Sequence, residues 1–217
     1  TEYVPTEEHA EYMYYPRAFA VAETGWSRAE DKDYGRFRPR AVALCGLLRQ
    51  MGYHTFDLAN EYGNRKESLA PVEHLAKGCK VTYNQPFSKE WPSAGATTLT
   101  DGVLGGWTYQ DHKWQGLLKD LDVVIDLGKV QPVHYVGASF MHQPGPGVFI
   151  PTKMEVEVSA DGKQYERIGE VWGDIDDKIP NLLFKTYSLT CNRQARYIRV
   201  HAVNPKAFIF VDEIIVN

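Results

Sequence analysis

Hydrophobic and polar positions change period once along this chain. In "TEEHAEYMYYPRAFAVAETGW" the apolar residues Tyr12, Tyr15, Phe19 and Ala22 recur at helical spacing. Pro16 kinks that helix or marks a helix start. In "YGRFRPRAVALCGLLRQMGY" one face holds Phe37, Ala41, Leu44, Cys45, Leu48 and Met51, and Gly52 follows as a C-terminal cap. Pro39 blurs where this helix begins. Such helices cannot make a domain alone, because their apolar stripes need a partner surface. Residues 1–60 are therefore expected to be the tail of a larger domain, or a helical hairpin packed against the C-terminal domain. Residues 61–76, "EYGNRKESLAPVEHLA", read as a linker or a loosely packed connection.

From Lys77 onward the period is two. "DVVIDLG" (122–128) is a short apolar run closed by glycine. "MEVEVSADGKQYERI" alternates Met154, Val156 and Val158 with Glu155 and Glu157, then turns at Asp161-Gly162, a strong hairpin signal. "ARYIRVHAV" (195–203) and "FIFVDEIIVN" (208–217) are two more strands. Short strands with turn signals and no helix pattern predict an all-β sandwich over 77–217.

Composition narrows the classes. The chain has 217 residues, 43% hydrophobic and 24% charged, with net charge −4. That is an ordinary globular balance with no basic surface for nucleic acid. No apolar window approaches a membrane span. The three cysteines, Cys45, Cys79 and Cys191, are scattered and predict free or buried thiols, with a Cys79–Cys191 bridge as the alternative. The chain opens on Thr1 without an initiator Met or a signal peptide, which predicts a fragment or a processed product.

Candidate chemistry centres on "TTLTDGVLGGWTYQDHKWQG" (97–116). It is not an EF-hand: counting from Asp101, positions 3, 5 and 12 are Val103, Gly105 and His112. Its glycines let the chain curl until several carbonyls converge. "MHQPGPG" (141–147) is too rich in Pro and Gly for a strand and reads as a partly rigid loop. Near the N-terminus, "ETGW" with Glu23 and Trp26 reads as capping and packing, and Arg17 as an ion pair.

"LTDG", a glycine-rich loop, "WQG", "VVIDLGK", "VEVSADGKQYERI", "ARYIRV" and "VDEIIVN" occur in the order seen in the discoidin family. That family is also called factor V/VIII type C, and its bacterial branch is carbohydrate-binding module family 32. The resemblance covers about 77–217. It implies a mainly β fold, a discoidin-type β-sandwich jelly roll with ligand loops at one end. It also implies a structural Ca2+ site at Asp101 and Glu213, with Thr100 and Gly102 giving carbonyl or hydroxyl oxygens. The sugar contacts it suggests are Trp107, Tyr109, His112, His142, Asn204 and Phe208: aromatic rings for apolar sugar faces, polar side chains for hydroxyls. Phe149 and Trp172 are weighed as core before sugar contact, and Trp114 matches a position usually buried. Arg196 and Arg199 fall on opposite strand faces and are read as structural.

"YMYYPRAFAVAETGWS" with "DYGRFRPRAVALCGLLRQMGYHTF" resembles the last helices of a family 20 glycoside hydrolase, covering about 1–56. This implies two or three helices from the end of a truncated (β/α)8 barrel. That family consists of β-N-acetylhexosaminidases, chitobiase among them. They act with substrate assistance through an Asp-Glu pair in H-x-G-G-D-E. The motif is absent, and the sole Asp-Glu, Asp212-Glu213, lies in the last strand, so the segment itself is expected to be non-catalytic. The expected partners are a glycan with terminal N-acetylhexosamine or galactose-type sugar and the upstream catalytic domain, with no nucleic acid and no membrane span. Family habit implies a periplasmic, cell-surface or extracellular setting. The alternatives are a discoidin module that only braces or contacts protein, and one that meets a membrane surface through loop aromatics.

Overall fold

The computed structural model describes residues 6–60 and 65–217. The chain divides into two compact units, residues 1–63 and 64–217. The expected connection at 61–64 lies outside the described residues.

The first unit holds α1 (Glu7–Tyr14), α2 (Arg17–Trp26) and α3 (Tyr34–Gln50). Pro16 sits at the N-cap of α2, so it starts a helix. Asp33 caps α3 by accepting the Arg36 N–H at 2.7 Å. Gly52 follows α3 with φ +92, as a C-terminal glycine should. Of the expected α3 face, Ala41 and Cys45 are fully buried, whereas Leu44 and Met51 are exposed. Trp26, expected to pack, is 92% exposed. Glu23 pairs with Arg40 at 2.5 Å, and Arg17 donates to the Met13 carbonyl at 2.7 Å.

The second unit is an antiparallel β-sandwich of β1 (Lys80–Tyr83), β2 (Gln115–Leu117), β3 (Leu121–His142), β4 (Lys153–Ser159), β5 (Glu166–Trp172), β6 (Leu183–Ala202) and β7 (Ile209–Val216). It is the mainly β class expected from the period-two pattern. The strand order is β2-β7-β3-β6-β4-β5, with β1 on β3. β3 and β6 serve both layers. Residues 121–126 pair with 197–202, the register shifts between Asp126 and Gln131, and residues 131–142 pair with 183–195. Such an irregularity bends both strands from one layer into the other. Alternation explains the core: Leu121, Val123 and Ile125 of β3, Ile198 and Val200 of β6, and Met154, Val156 and Val158 of β4 lie side by side on one inward sheet face, all buried. Asp161-Gly162 makes the β4–β5 turn, with Gly162 at φ +72 and the Asp161 carboxylate accepting the Lys163 and Gln164 N–H groups.

Three particulars differ from expectation. Residues 65–76 are packed on the sandwich: Arg65 and Ala76 are buried, the Val72 N–H meets the Gly102 carbonyl at 2.9 Å, and the Leu75 N–H meets the Val216 carbonyl at 2.7 Å. Trp172 is 63% exposed, its ring under Lys153 and its N–H on Glu170, because it ends β5 on the solvent side. Met141 and His142 still belong to β3, so the Pro/Gly loop begins one residue after His142. All three cysteines are free thiols.

The outer face carries an ion-pair ladder that holds both Arg196 and Arg199, expected on opposite faces, because Ala195 and Ile198 are the buried positions there. Arg199 grips both Asp122 oxygens at 3.0 Å and reaches Glu157 at 3.1 Å, and Arg196 grips Asp126 at 2.7 and 2.8 Å. Burial acts to raise the Asp122 carboxyl, but hydrogen bonds from Arg199 and Asn84 and the Arg199 charge outweigh it and hold it below its usual value. A depressed carboxyl contributes stability above its unfolded value of about 3.9 and loses it as pH falls through the lower folded value. Arg199→Gln should therefore cost about 1 kcal/mol at neutral pH. The melting-temperature gap between parent and variant should close in strong acid. A gap that stays constant from pH 7 to pH 2 would count against this pairing.

Candidate functional site

The loops at the end of the sandwich where β3 finishes and β7 starts carry most of the sequence-nominated residues. The 101–114 loop is held by its own side chains. Asp111 accepts the Gly106 N–H at 2.6 Å and the Lys113 N–H at 2.9 Å. Burial pushes the Asp111 carboxyl up, and those backbone donors oppose the shift. Thr108 caps a short turn over 109–111 by accepting the Gln110 N–H. His112 then takes a left-handed conformation (φ +61), and its carbonyl accepts the Ser93 hydroxyl at 2.8 Å.

These contacts set out a row of rings. Trp107 is 52% exposed and meets the edge of Phe184 at 5.5 Å. Phe184 stacks on buried Trp114 at 5.5 Å with 16° between planes. Tyr109 packs on Trp91 at 4.9 Å and Phe210 at 5.0 Å, and Phe208 lies 5.7 Å from Phe210. Trp107, Tyr109 and Phe208 thus converge on one aromatic cluster built around Trp114, Met141, Val148 and Phe210. The His112 side chain is exposed on the same loop. The Pro/Gly loop is zipped to this cluster: Gln143 and Val148 exchange backbone hydrogen bonds at 2.9 and 3.1 Å, and the Phe149 N–H reaches the Phe208 carbonyl at 2.8 Å.

Two nominated residues stand elsewhere. His142, expected on the rim, is buried beneath it; its Nε2–H donates to the Ile179 carbonyl at 3.0 Å. It is a strut for the 174–182 loop, and its Nδ1 and the neighbouring Gln143 Oε1 have no partner. Asn204 holds its own turn, donating to the Ala207 carbonyl at 3.0 Å while accepting the Lys206 N–H at 3.0 Å. It lines a separate polar cleft of about 480 Å³ with Asp120, His201 and Lys206. Trp114 is core, as expected, and Phe149 is buried under the Lys206 ammonium at 4.2 Å.

The metal-nominated atoms do come together. Glu213 is buried, with Oε1 on His74 Nε2 at 2.9 Å and Oε2 accepting the Gly102 N–H at 2.9 Å. Asp101 Oδ1 accepts the Val103 N–H at 2.8 Å. The Thr100 carbonyl accepts the Gly78 N–H, the Gly102 carbonyl accepts the Val72 N–H, and the Thr100 hydroxyl donates to the Cys79 carbonyl. Calcium takes six to eight oxygens. These oxygens fit such a set only in part: each already meets an N–H donor and an imidazole sits on Glu213, while the Asp101 and Glu213 carboxyls lie against each other, both pushed up by burial. Among the described residues no three His, Cys, Asp or Glu side chains are arranged to hold a metal.

Sequence reasoning missed Phe184, Asp111 and Arg65. Asp111 lay inside the quoted loop, and its spacing of five from Gly106 was the available signal. Arg65 stood in a polar stretch that carried none.

No protein-family model matches the chain. A protein described as Beta-hexosaminidase from Porphyromonas gingivalis is 29% identical over 188 residues, which are 83% of this chain and 22% of that protein. The chain thus spans about a fifth of that relative's length. Among solved structures, chitosan-binding module 1 of a chitosanase/glucanase from Paenibacillus sp. IK-5 superposes with TM-score 0.47 at 15% identity, covering 67% of this chain and 99% of that one. The module CpGH89CBM32-6 produced by Clostridium perfringens superposes with TM-score 0.45 at 19% identity, covering 67% and 98%. A hexosaminidase among the relatives coincides with one of the two resemblances stated from the sequence. No helix among the described residues is long and apolar enough to cross a membrane.

Proposed function

We propose that this chain is the carbohydrate-binding accessory module of a secreted β-N-acetylhexosaminidase, joined to the closing helices of its catalytic barrel. The observation that carries the reading is Trp107, a half-exposed indole fixed edge-on to Phe184 by a loop that Asp111 pins. A sugar ring presents an apolar C–H face that suits such a surface, and a pre-set ring spends little entropy on binding. His112, exposed, supplies a polar partner from the same end of the sandwich. The hexosaminidase relative supports the hydrolase context. So do the apolar side chains that the first unit leaves exposed, Val21, Trp26, Leu47 and Met51, which suit packing against further barrel elements. The ligand is a glycan with terminal N-acetylhexosamine or a galactose-type sugar, and the module's work is to keep the enzyme near it. The catalytic pair belongs to the upstream domain, and the setting is periplasmic, cell-surface or extracellular.

A glycan array probed with the 217-residue chain tests this. Retention on N-acetylhexosamine- or galactose-terminated glycans, lost on competition with the free sugar, is the expected result. A folded chain that binds no glycan on the array would favour a bracing or protein-contact module instead.

A further inference from the structure

A buried cation does lie between the glycine-rich loop and the last strand, and it belongs to the protein. The Arg65 guanidinium, 7% exposed, donates from Nε to the Gly105 carbonyl at 2.8 Å and from Nη2 to Asp212 Oδ2 at 3.0 Å. The same Asp212 oxygen accepts the Gly105 N–H at 3.0 Å, so arginine, carboxylate and loop backbone close one circuit. The guanidinium also lies over Phe184 at 4.1 Å and Trp114 at 5.0 Å. Those are the ring that Trp107 leans on and the ring beneath it. A planar fork can donate in two directions and stack on aromatic faces at once, which an ammonium cannot. Gly105 stands two residues before Trp107, so this one side chain holds both the backbone that delivers the indole and the ring that supports it.

We propose that Arg65 is the positioning residue of the Trp107 surface, and that this guanidinium closes the 101–114 loop over Trp114. Its consequence for glycan affinity rests on the function proposed above; its consequence for the loop does not. The cationic contacts to the loop are made at Gly105 and Asp212. The anchoring residue comes from the segment before Lys77, outside the seven strands. A module cut at Lys77 would lose it.

The test uses the full chain and three readouts. Amide hydrogen exchange over 103–114 reports the loop, thermal melting reports the fold, and titration with a glycan found on the array reports the surface. Arg65→Met should raise exchange over 103–114 at least tenfold and weaken glycan binding at least tenfold. Arg65→Lys keeps the charge that Asp212 needs, and should fold like the parent with intermediate exchange and affinity. The proposal is overturned if Arg65→Lys and Arg65→Met both leave loop exchange at the parental rate. Should the parent bind no glycan, the function reading fails, while exchange still decides the role of Arg65.

Discussion

Gly105→Ala will destabilise the sandwich by about 3 kcal/mol, the upper part of the range for overpacking a filled core. A Cβ at residue 105 would lie 2.1 Å from two atoms of the Trp114 indole. That ring has nowhere to move. It is 1% exposed, stacked on Phe184, covered by Arg65, and tied through its N–H to the Gly106 carbonyl at 3.2 Å. The backbone cannot retreat either, because the Gly105 N–H and carbonyl are both held, by Asp212 and Arg65. For a unit of this size the melting temperature should fall by about 6–12 °C. Gly145→Ala is the control: no atom lies within 4 Å of a Cβ there, and melting should stay close to the parent. Equal melting temperatures for the two variants would mean that Gly105 does not approach Trp114 as described.

Trp107→Ala should do the reverse: a large loss of binding at little cost to the fold. The indole is 52% exposed and its recorded ring contact is the edge of Phe184, so stability should change by about 0.5 kcal/mol or less. If the indole is the sugar-facing surface, its removal should cost about 2 kcal/mol of binding, roughly 30-fold in affinity. Trp172→Ala is the matched control, because that indole is 63% exposed on β5 and belongs to no part of the rim. Calorimetric titration of the three proteins checks this. Equal losses for Trp107→Ala and Trp172→Ala would place the sugar elsewhere.

How much of this was legible depended on the distance over which each feature is decided. β4, its Asp-Gly turn and β5 were readable because alternation and turn chemistry are local. The first half of β6 was not. "LFKTYSLTCNRQ" mixes polar and apolar residues with partial burial on both sides, and only its pairing with β3 makes it a strand. Trp114 was legible as core and Trp107 as a loop aromatic, yet Phe184 between them was not, since it arrives from a strand about seventy positions later. Arg65 and Asp212 are 147 positions apart, and His74 and Glu213 are 139 apart. No periodicity connects residues so distant. His142 misled because the Pro/Gly run beside it looked like the start of the loop, while its imidazole was already committed inward to Ile179.

The most direct test of glycan binding at the Trp107 rim is to map a glycan's contacts on the chain by amide chemical shifts. Saturation with an N-acetylhexosamine- or galactose-terminated glycan should move the amides of 105–113 and 206–208, with the Trp107 indole N–H among the largest shifts. The Asp122–Arg199 ladder should stay still. Shifts confined to that outer face, or no shift at any concentration with the sandwich folded, would contradict it.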